Sequence, residues 1–307
     1  MNLDIIYSDK YQINLAGLEY LHPFDFNKYT KIFQKLIEDD LVSPKNIFAP
    51  EPITDAQIAL VHTPLFSHNL KNPAKIAAYL EAPFLAEADP GFIEKGLLYP
   101  LRVITGGTLL AARRALRSGL AVNLGGGYHH SLPDAGEGFC IYNDIPIAIR
   151  VLLAEKTINK AMIIDLDVHQ GNGCAFIFCL NPNVFTFSMH QGDIYPYPKP
   201  ASDLDIELDS GTDDQTYLEI LHRALPDLFQ RFTPDLVFYI AGCDTMSGDP
   251  LANLKMSAVG IIKRDAAVIQ ACRSRQIPVA MTLGGGYLPN AYHIQYLSIR
   301  HLIKLPQ

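Results

Sequence analysis

The sequence predicts an α/β fold: a single domain over residues 1–307, built on an open, mostly parallel sheet with helices on both faces. Three observations carry this expectation. Short β-branched apolar runs alternate with longer stretches of helical period, as they do when parallel strands are covered on both faces. The 307 residues are 49% hydrophobic and 19% charged, enough apolar side chain for one large core. Four clusters rich in His, Asp, Gly and Tyr each follow an expected strand, at the edge where open parallel sheets bind ligands.

In chain order, the apolar runs are LDIIY near residue 5, LAVNL at 120–124, KAMIIDL at 160–166 and NVFTFSM at 183–189, followed by DLVFYIA at 235–241 and PVAMTL at 278–283. Each is a candidate strand by its length and its β-branched and aromatic content. Helical spacing marks 27–38, 97–117, 144–156, 213–230, 257–275 and 289–303. Gly119 is placed to stop the second of these helices, and Asn143 or Asp144 to cap the third. Residues 81–96 and the proline-rich 190–203 are expected to be long loops. No internal repeat or low-complexity tract interrupts the pattern.

The formal net charge is −7, and the longest basic run is ARRALR at 112–117, which suits the solvent face of a helix. A direct nucleic-acid ligand is therefore not expected. Five cysteines without a C-x-x-C pair point to free thiols in a reducing compartment. The N-terminus lacks the basic and apolar regions of a signal peptide, and no window reads as a membrane span. A cytoplasmic protein is expected, of oligomeric state that the sequence leaves open.

The chemistry-bearing clusters are GGGYHHSLPDAGEGF after 124, DVHQGNG after 166, GCDTMSGDP after 241 and GGGYLPNAY after 283. Asp165, Asp167 and His169 stand at i, i+2 and i+4, which in an extended chain puts them on one face. Asp167, His169 and Asp244 offer two oxygens and one nitrogen, the three-ligand pattern of a catalytic zinc site with an open position. Fe(II) or Co(II) would also suit this set. A merely capped strand end, or a Mg²⁺ site for phosphate, are the alternatives, although no P-loop is present. His129 and His130 suit proton transfer near neutral pH, and Asp165 is available to fix one ring's tautomer. His22, His62, His68 and His190 are read as structural. Tyr287, after three glycines, could donate to a developing oxyanion. Together these parts describe metal-assisted hydrolysis of an amide, and no G-x-S-x-G elbow or papain-like cysteine offers a covalent route.

With these residues in view, LAGLEYLHPFD, RVITGGTLLAA, NLGGGYHH, GEGFCIYND and IIDLDVHQGNG resemble the zinc-dependent histone deacetylase superfamily, and most of all its class IV branch. The similarity runs from about residue 7 to the last helix. It implies an arginase/deacetylase-like fold and catalytic Zn²⁺ on Asp167, His169 and Asp244. His129 and His130 become the catalytic pair with Asp165 behind the first, and Tyr287 the transition-state tyrosine. Gly138 and Phe139 become one wall of an acyl-lysine channel, with Tyr195 opposite. A structural K⁺ is implied on Asp165, Asp167, His169, Ser188 and the Met189 carbonyl. The implied substrate is an acylated lysine in a protein or peptide, with longer fatty-acyl groups favoured by the class IV likeness. Asn172 departs from most of the superfamily, which has a carboxylate there, and no residue of 81–96 matches the acidic rim residue of other classes. Hydrolysis of small acylated amines such as acetylpolyamines is the second reading, with Asp193, Asp203 and Asp205 as its acidic rim. A metal-binding scaffold without turnover is the third.

Overall fold

Eight strands, all parallel, form one sheet. The structure, a computed structural model, describes residues 2–305. The strands are β1 (Asn2–Ile6), β2 (Ile47–Phe48), β3 (Gly119–Asn123), β4 (Ala161–Asp165), β5 (Val184–Gln191), β6 (Leu204–Leu208), β7 (Leu236–Ile240) and β8 (Val279–Thr282). Across the sheet they stand in the order β2-β1-β3-β8-β7-β4-β5-β6. All six expected strands are present, and β2 and β6 are edge strands that the apolar runs do not announce. The inner strands β4, β7 and β8 are buried at every residue, which is why they read as unbroken apolar runs.

The helices are α1 (Lys28–Glu38), α2 (Asp55–Ile58), α3 (Pro64–Asn69), α4 (Pro73–Tyr79), α5 (Pro90–Ile93), α6 (Tyr99–Ser118), α7 (Asp144–Ala154), α8 (Asn172–Phe178), α9 (Asp214–Arg231), α10 (Ala258–Arg273) and α11 (Ala291–Lys304). Right-handed crossovers decide which face each one covers. The steps from β2 through β3 and β4 to β5 move toward the β6 edge and put α6, α7 and α8 on one face. The steps from β6 through β7 to β8 move back and put α9 and α10 on the other, where α11 and α1 pack beside them. Neighbouring strands β4 and β7 thus send their chains to opposite faces, as do β3 and β8. Each reversal opens a crevice at the C-terminal ends of the strands.

Several expectations are corrected. Residues 81–96 are not a loop: a 3-10 turn (Pro83–Leu85), α5 and a π-helical turn (Glu94–Leu98) lead straight into α6. Asp89 caps α5 by accepting from the Phe92 N–H, with Pro90 in the first turn. Strand β5 continues through Gln191, so the second loop begins at 192 rather than 190. Gly119 ends α6 in the left-handed conformation, φ 88°. Neither Asn143 nor Asp144 caps α7 with its side chain. Both are drawn into the preceding loop: Asp144 accepts from the Gly127 and Tyr128 N–H groups at 3.0 and 2.8 Å and from the Thr108 hydroxyl, while Asn143 donates to the Ser131 carbonyl at 2.8 Å. All five cysteines are free. No helix among the described residues is long and apolar enough to cross a membrane.

Candidate active site

The crevice between β4 and β7 holds Asp167, His169 and Asp244, all buried. They are not brought together by strand alternation, because β4 ends at Asp165. Beyond it the chain curls: Asp165 Oδ1 accepts from the Asp167 N–H, and Asp167 Oδ1 from the His169 N–H, each at 3.1 Å. The curl turns Asp167 and His169 toward Asp244 and leaves Asp165 facing elsewhere. Among the described residues these three make the one cluster of metal-ligating side chains, with ligand atoms within 4.8 Å of one another.

The site fits a divalent cation on three grounds. His169 Nδ1 faces Asp167 Oδ1 at 3.3 Å and Asp244 Oδ2 at 3.4 Å. Asp244 Oδ2 is fully buried yet has no well-formed hydrogen bond, while its Oδ1 accepts from the Val168 N–H. Gly285 keeps the space clear, since a methyl group there would meet Asp244 Oδ2 at 2.0 Å and Asp167 Oδ2 at 2.8 Å. The electrostatics agree. Burial and the charge of Asp167 push Asp244 up to about 7. Burial would lower His169, but its contacts with Asp167 and Asp244 outweigh this and carry it up to about 10. The two buried carboxylates thus draw positive charge to this point, as a cation-binding cluster would.

The paired histidines sit beside it. Asp165 Oδ2 lies 2.6 Å from His129 Nδ1, and the His129 and His130 Nε2 atoms are 3.0 Å apart. His130 Nδ1 is 2.7 Å from Asn172 Oδ1. Burial would lower both rings, but Asp165 and Asp167 reverse this for His129 and raise it to about 9. His130 has no carboxylate partner, so burial and the neighbouring His129 hold it well below the usual range. The two rings are chemically unlike: one favours the charged form and the other the neutral form.

Two cavities meet at a collar of His130, Gly138, Phe139 and Tyr287. Outside it, a mouth of about 210 Å³ is completed by Tyr195, His169, Leu251 and Glu81. Inside it, a narrow chamber with a free volume of only about 30 Å³ is lined by Phe24, Phe26, Tyr128 and the glycine loops. Phe139 and Tyr195 stand on this passage, and Tyr195 packs edge-on to His130 with ring centres 5.0 Å apart. Burial and the charges of Asp244 and Asp167 push the Tyr287 phenol well above its ordinary value, so it stays protonated. Ser188 lies opposite Asp165 in the β4–β5 register, with its hydroxyl 2.9 Å from His190 Nδ1. The acids expected at the rim are engaged elsewhere: Asp193 with Gln191 and Ser210, Asp203 with Thr186, Asp205 with Gln170 and Ser202. The carboxylate that lines the mouth is instead Glu81.

Three residues that the motifs do not mark also belong here. Asp249 accepts from the Tyr287 N–H at 2.9 Å, fixing the backbone that carries the phenol. Glu137 accepts from the Tyr195 hydroxyl at 2.5 Å and from Asn172 Nδ2 at 3.3 Å. Lys28 is fully buried behind the site, where it donates to the Gly284 carbonyl at 2.8 Å and lies over the Phe24 ring. The acidic character of MSGDP could have suggested Asp249. Lys28 has no such signal, because FNKYTK reads as a solvated helix start.

The comparisons with known proteins bear on the family and the fold. A histone deacetylase domain model matches residues 22–301. The chain is 37% identical over 305 residues to histone deacetylase 2 of Arabidopsis thaliana, covering 98% of this chain and 79% of that one. It is 38% identical over 299 residues to an uncharacterised protein of Picosynechococcus sp., covering 96% of each. The crystal structure of the HDA15 HD domain superposes with a TM-score of 0.78 at 19% identity, over 99% of this chain and 91% of that one, and so shares its fold. A deacetylase-like parallel sheet, a buried Asp-His-Asp cluster and a family match over nearly the whole chain have one reading: this chain belongs to the histone deacetylase family.

Proposed function

We propose that the protein is a zinc-dependent lysine deacylase, hydrolysing the amide between an acyl group and the ε-amine of a lysine in a protein or peptide. The observation that supports this most is the gathering of Asp167, His169 and Asp244, the unlike pair His129 and His130, and the protonated Tyr287 around one passage. Zinc held by the first three would supply Lewis acidity, polarising the acyl carbonyl and making water more acidic. His130, neutral and facing both cavities, takes the proton of the attacking water and returns it to the leaving amine. His129, held by Asp165, keeps positive charge beside it. Tyr287 donates to the oxyanion as the carbonyl becomes tetrahedral.

The aromatic lining beyond the collar, Phe24, Phe26 and Phe139, supports an apolar acyl group; a long chain must widen that narrow space, each methylene buried there contributing roughly 0.8 kcal/mol. This reading places the chain nearest the class IV branch, with Asn172 as its mark. It also places a structural K⁺ on Asp165, Asp167, His169, Ser188 and Met189, supported by the facing of Asp165 and Ser188 across β4 and β5. Small acylated amines have weaker support, since Glu81 is the one acid that lines the mouth among the described residues.

The test is kcat/KM of the zinc-loaded protein on one peptide lysine, acetylated or myristoylated, before and after chelation. Turnover that chelation abolishes and zinc restores, greater for the myristoyl peptide, is expected. An acetyl preference would mean that the chamber does not take the chain. No turnover of either peptide would sink the lysine-deacylase reading.

A further inference from the structure

We propose that Glu137 selects the tautomer of His130 by fixing which way round the Asn172 amide sits; this rests on the reading of His130 as the general base. A side-chain amide is ambiguous, because one end donates and the other accepts. A carboxylate only accepts. Glu137 Oε1 lies 3.3 Å from Asn172 Nδ2, and Asn172 Oδ1 lies 2.7 Å from His130 Nδ1. With its NH₂ turned to Glu137, Asn172 has only its carbonyl left for the imidazole. His130 Nδ1 must therefore carry the hydrogen. A neutral imidazole has one N–H, so Nε2 keeps its lone pair, the state that a base requires. Were the amide reversed, Nδ1 would accept, Nε2 would be protonated against the N–H of charged His129 at 3.0 Å, and no base would face the passage; the His129 contact and the Glu137 tether thus favour the same tautomer.

The local backbone holds Glu137 in place. Its N–H donates to the Cys140 carbonyl at 3.1 Å, and the Cys140 N–H returns to the Glu137 carbonyl at 2.9 Å. Gly138, at φ +53°, lies flat against the site: a methyl group there would meet His130 Cδ2 at 2.6 Å and the Tyr195 hydroxyl at 2.9 Å. Phe139 is also left-handed, at φ 67°, and its N–H is tied to the Tyr79 carbonyl at 3.2 Å. Such backbone is costly for a non-glycine residue and persists where its surroundings determine it. The Tyr195 hydroxyl holds the same Glu137 oxygen from the other side. A carboxylate at position 172 would be an acceptor in either orientation. With Asn172 there, the acceptor-only group stands one residue further out, at Glu137, a positioning residue.

The experiment reads the ring proton and the kinetics together. In the zinc-loaded protein with ¹⁵N-labelled histidine, His130 should show a protonated Nδ1 and a bare Nε2; a proton on Nε2 in the wild type overturns the proposal. Glu137→Ala should move that proton toward Nε2 and lower kcat on an acetyl-lysine peptide about tenfold or more, with KM changed by less than about threefold. Adding Asn172→Asp to Glu137→Ala should restore the Nδ1–H tautomer and bring kcat back to within about threefold of wild type. Failure of that rescue, or a Tyr195→Phe variant that reproduces the whole Glu137→Ala loss, would mean that Glu137 acts through the channel wall and would overturn the proposal. The ring proton is read without substrate. If no acyl-lysine is turned over, the functional reading fails while the tautomer result still decides this one.

Discussion

Tyr287 is fixed by its backbone, through the N–H donated to Asp249, while its hydroxyl is left for the reaction. Tyr287→Phe keeps that tether and the ring packing, and removes only the donor. We expect kcat to fall roughly 10²–10³-fold, the cost of losing one oxyanion donor, with little change in KM. A variant with wild-type kcat on the acetyl-lysine peptide would remove Tyr287 from the oxyanion role. Residues of this kind differ in how far the sequence discloses them. Asp167, His169 and Asp244 were legible because few uses need acid, imidazole and acid just past strand ends. The one-face alternation expected for Asp165, Asp167 and His169 does not hold: side-chain-to-backbone turns after Asp165 aim Asp167 and His169 instead. Glu137 and Lys28 were not legible. An acid in a glycine-rich loop and a lysine at a helix start look solvated, and only tertiary packing buries Lys28.

At the scale of elements, the short helices show the limit of periodicity. Helices α2, α3 and α4 have four, six and seven residues, too few for an apolar face to repeat. Their caps are in the sequence nonetheless: Thr54 with Gln57, Thr63 before Pro64, and Asn72 before Pro73. His62 joins this region to the catalytic loop. Its Nε2 accepts from the Asn143 N–H at 3.1 Å, its Nδ1 donates to the Leu132 carbonyl at 3.0 Å, and its ring stacks on Phe66. Burial lowers it to about 4. The unfolded chain, with an ordinary histidine near 6.5, therefore binds the extra proton between these two values. Stability from this residue is complete above pH 6.5, is lost as pH falls toward 4, and changes no further below that. The loss is on the order of 3 kcal/mol. Urea midpoints at pH 7.5 and 4.5 should fall further for wild type than for His62→Gln; equal falls would show that His62 is not the group responsible.

At the scale of the whole molecule, the chain reversals on either side of β7 and β8 create the site, and buried Arg264 in α10 ties that arrangement together. It donates to the Leu166 carbonyl beyond β4 at 3.1 Å and to the Gly242 carbonyl beyond β7 at 2.7 Å, and it pairs with buried Asp265 at 2.8 Å. The sequence KRDAAV gave no sign of this, because charged residues on a helix normally face water. Arg264→Leu leaves buried Asp265 without its counter-charge, held only by the Tyr239 and Ser298 hydroxyls, and should cost about 3–5 kcal/mol by urea unfolding, and a loss below about 1 kcal/mol would refute the role. The fold class itself was legible because buried parallel strands must be almost wholly apolar. The edge strands were not, because β2 has only two residues and β6 is half-exposed and mixed. That same edge has a bearing on solubility. Parallel sheets assemble slowly, from contacts distant in sequence, and an open edge offers unpaired backbone to any other copy nearby. Here one edge is too short to template another strand, and the other sets Asp205 and Glu207 among its apolar residues. A second copy laid alongside β6 in register would bring like charges together, so the charges that obscured this strand in the sequence also protect the sheet from growing beyond it.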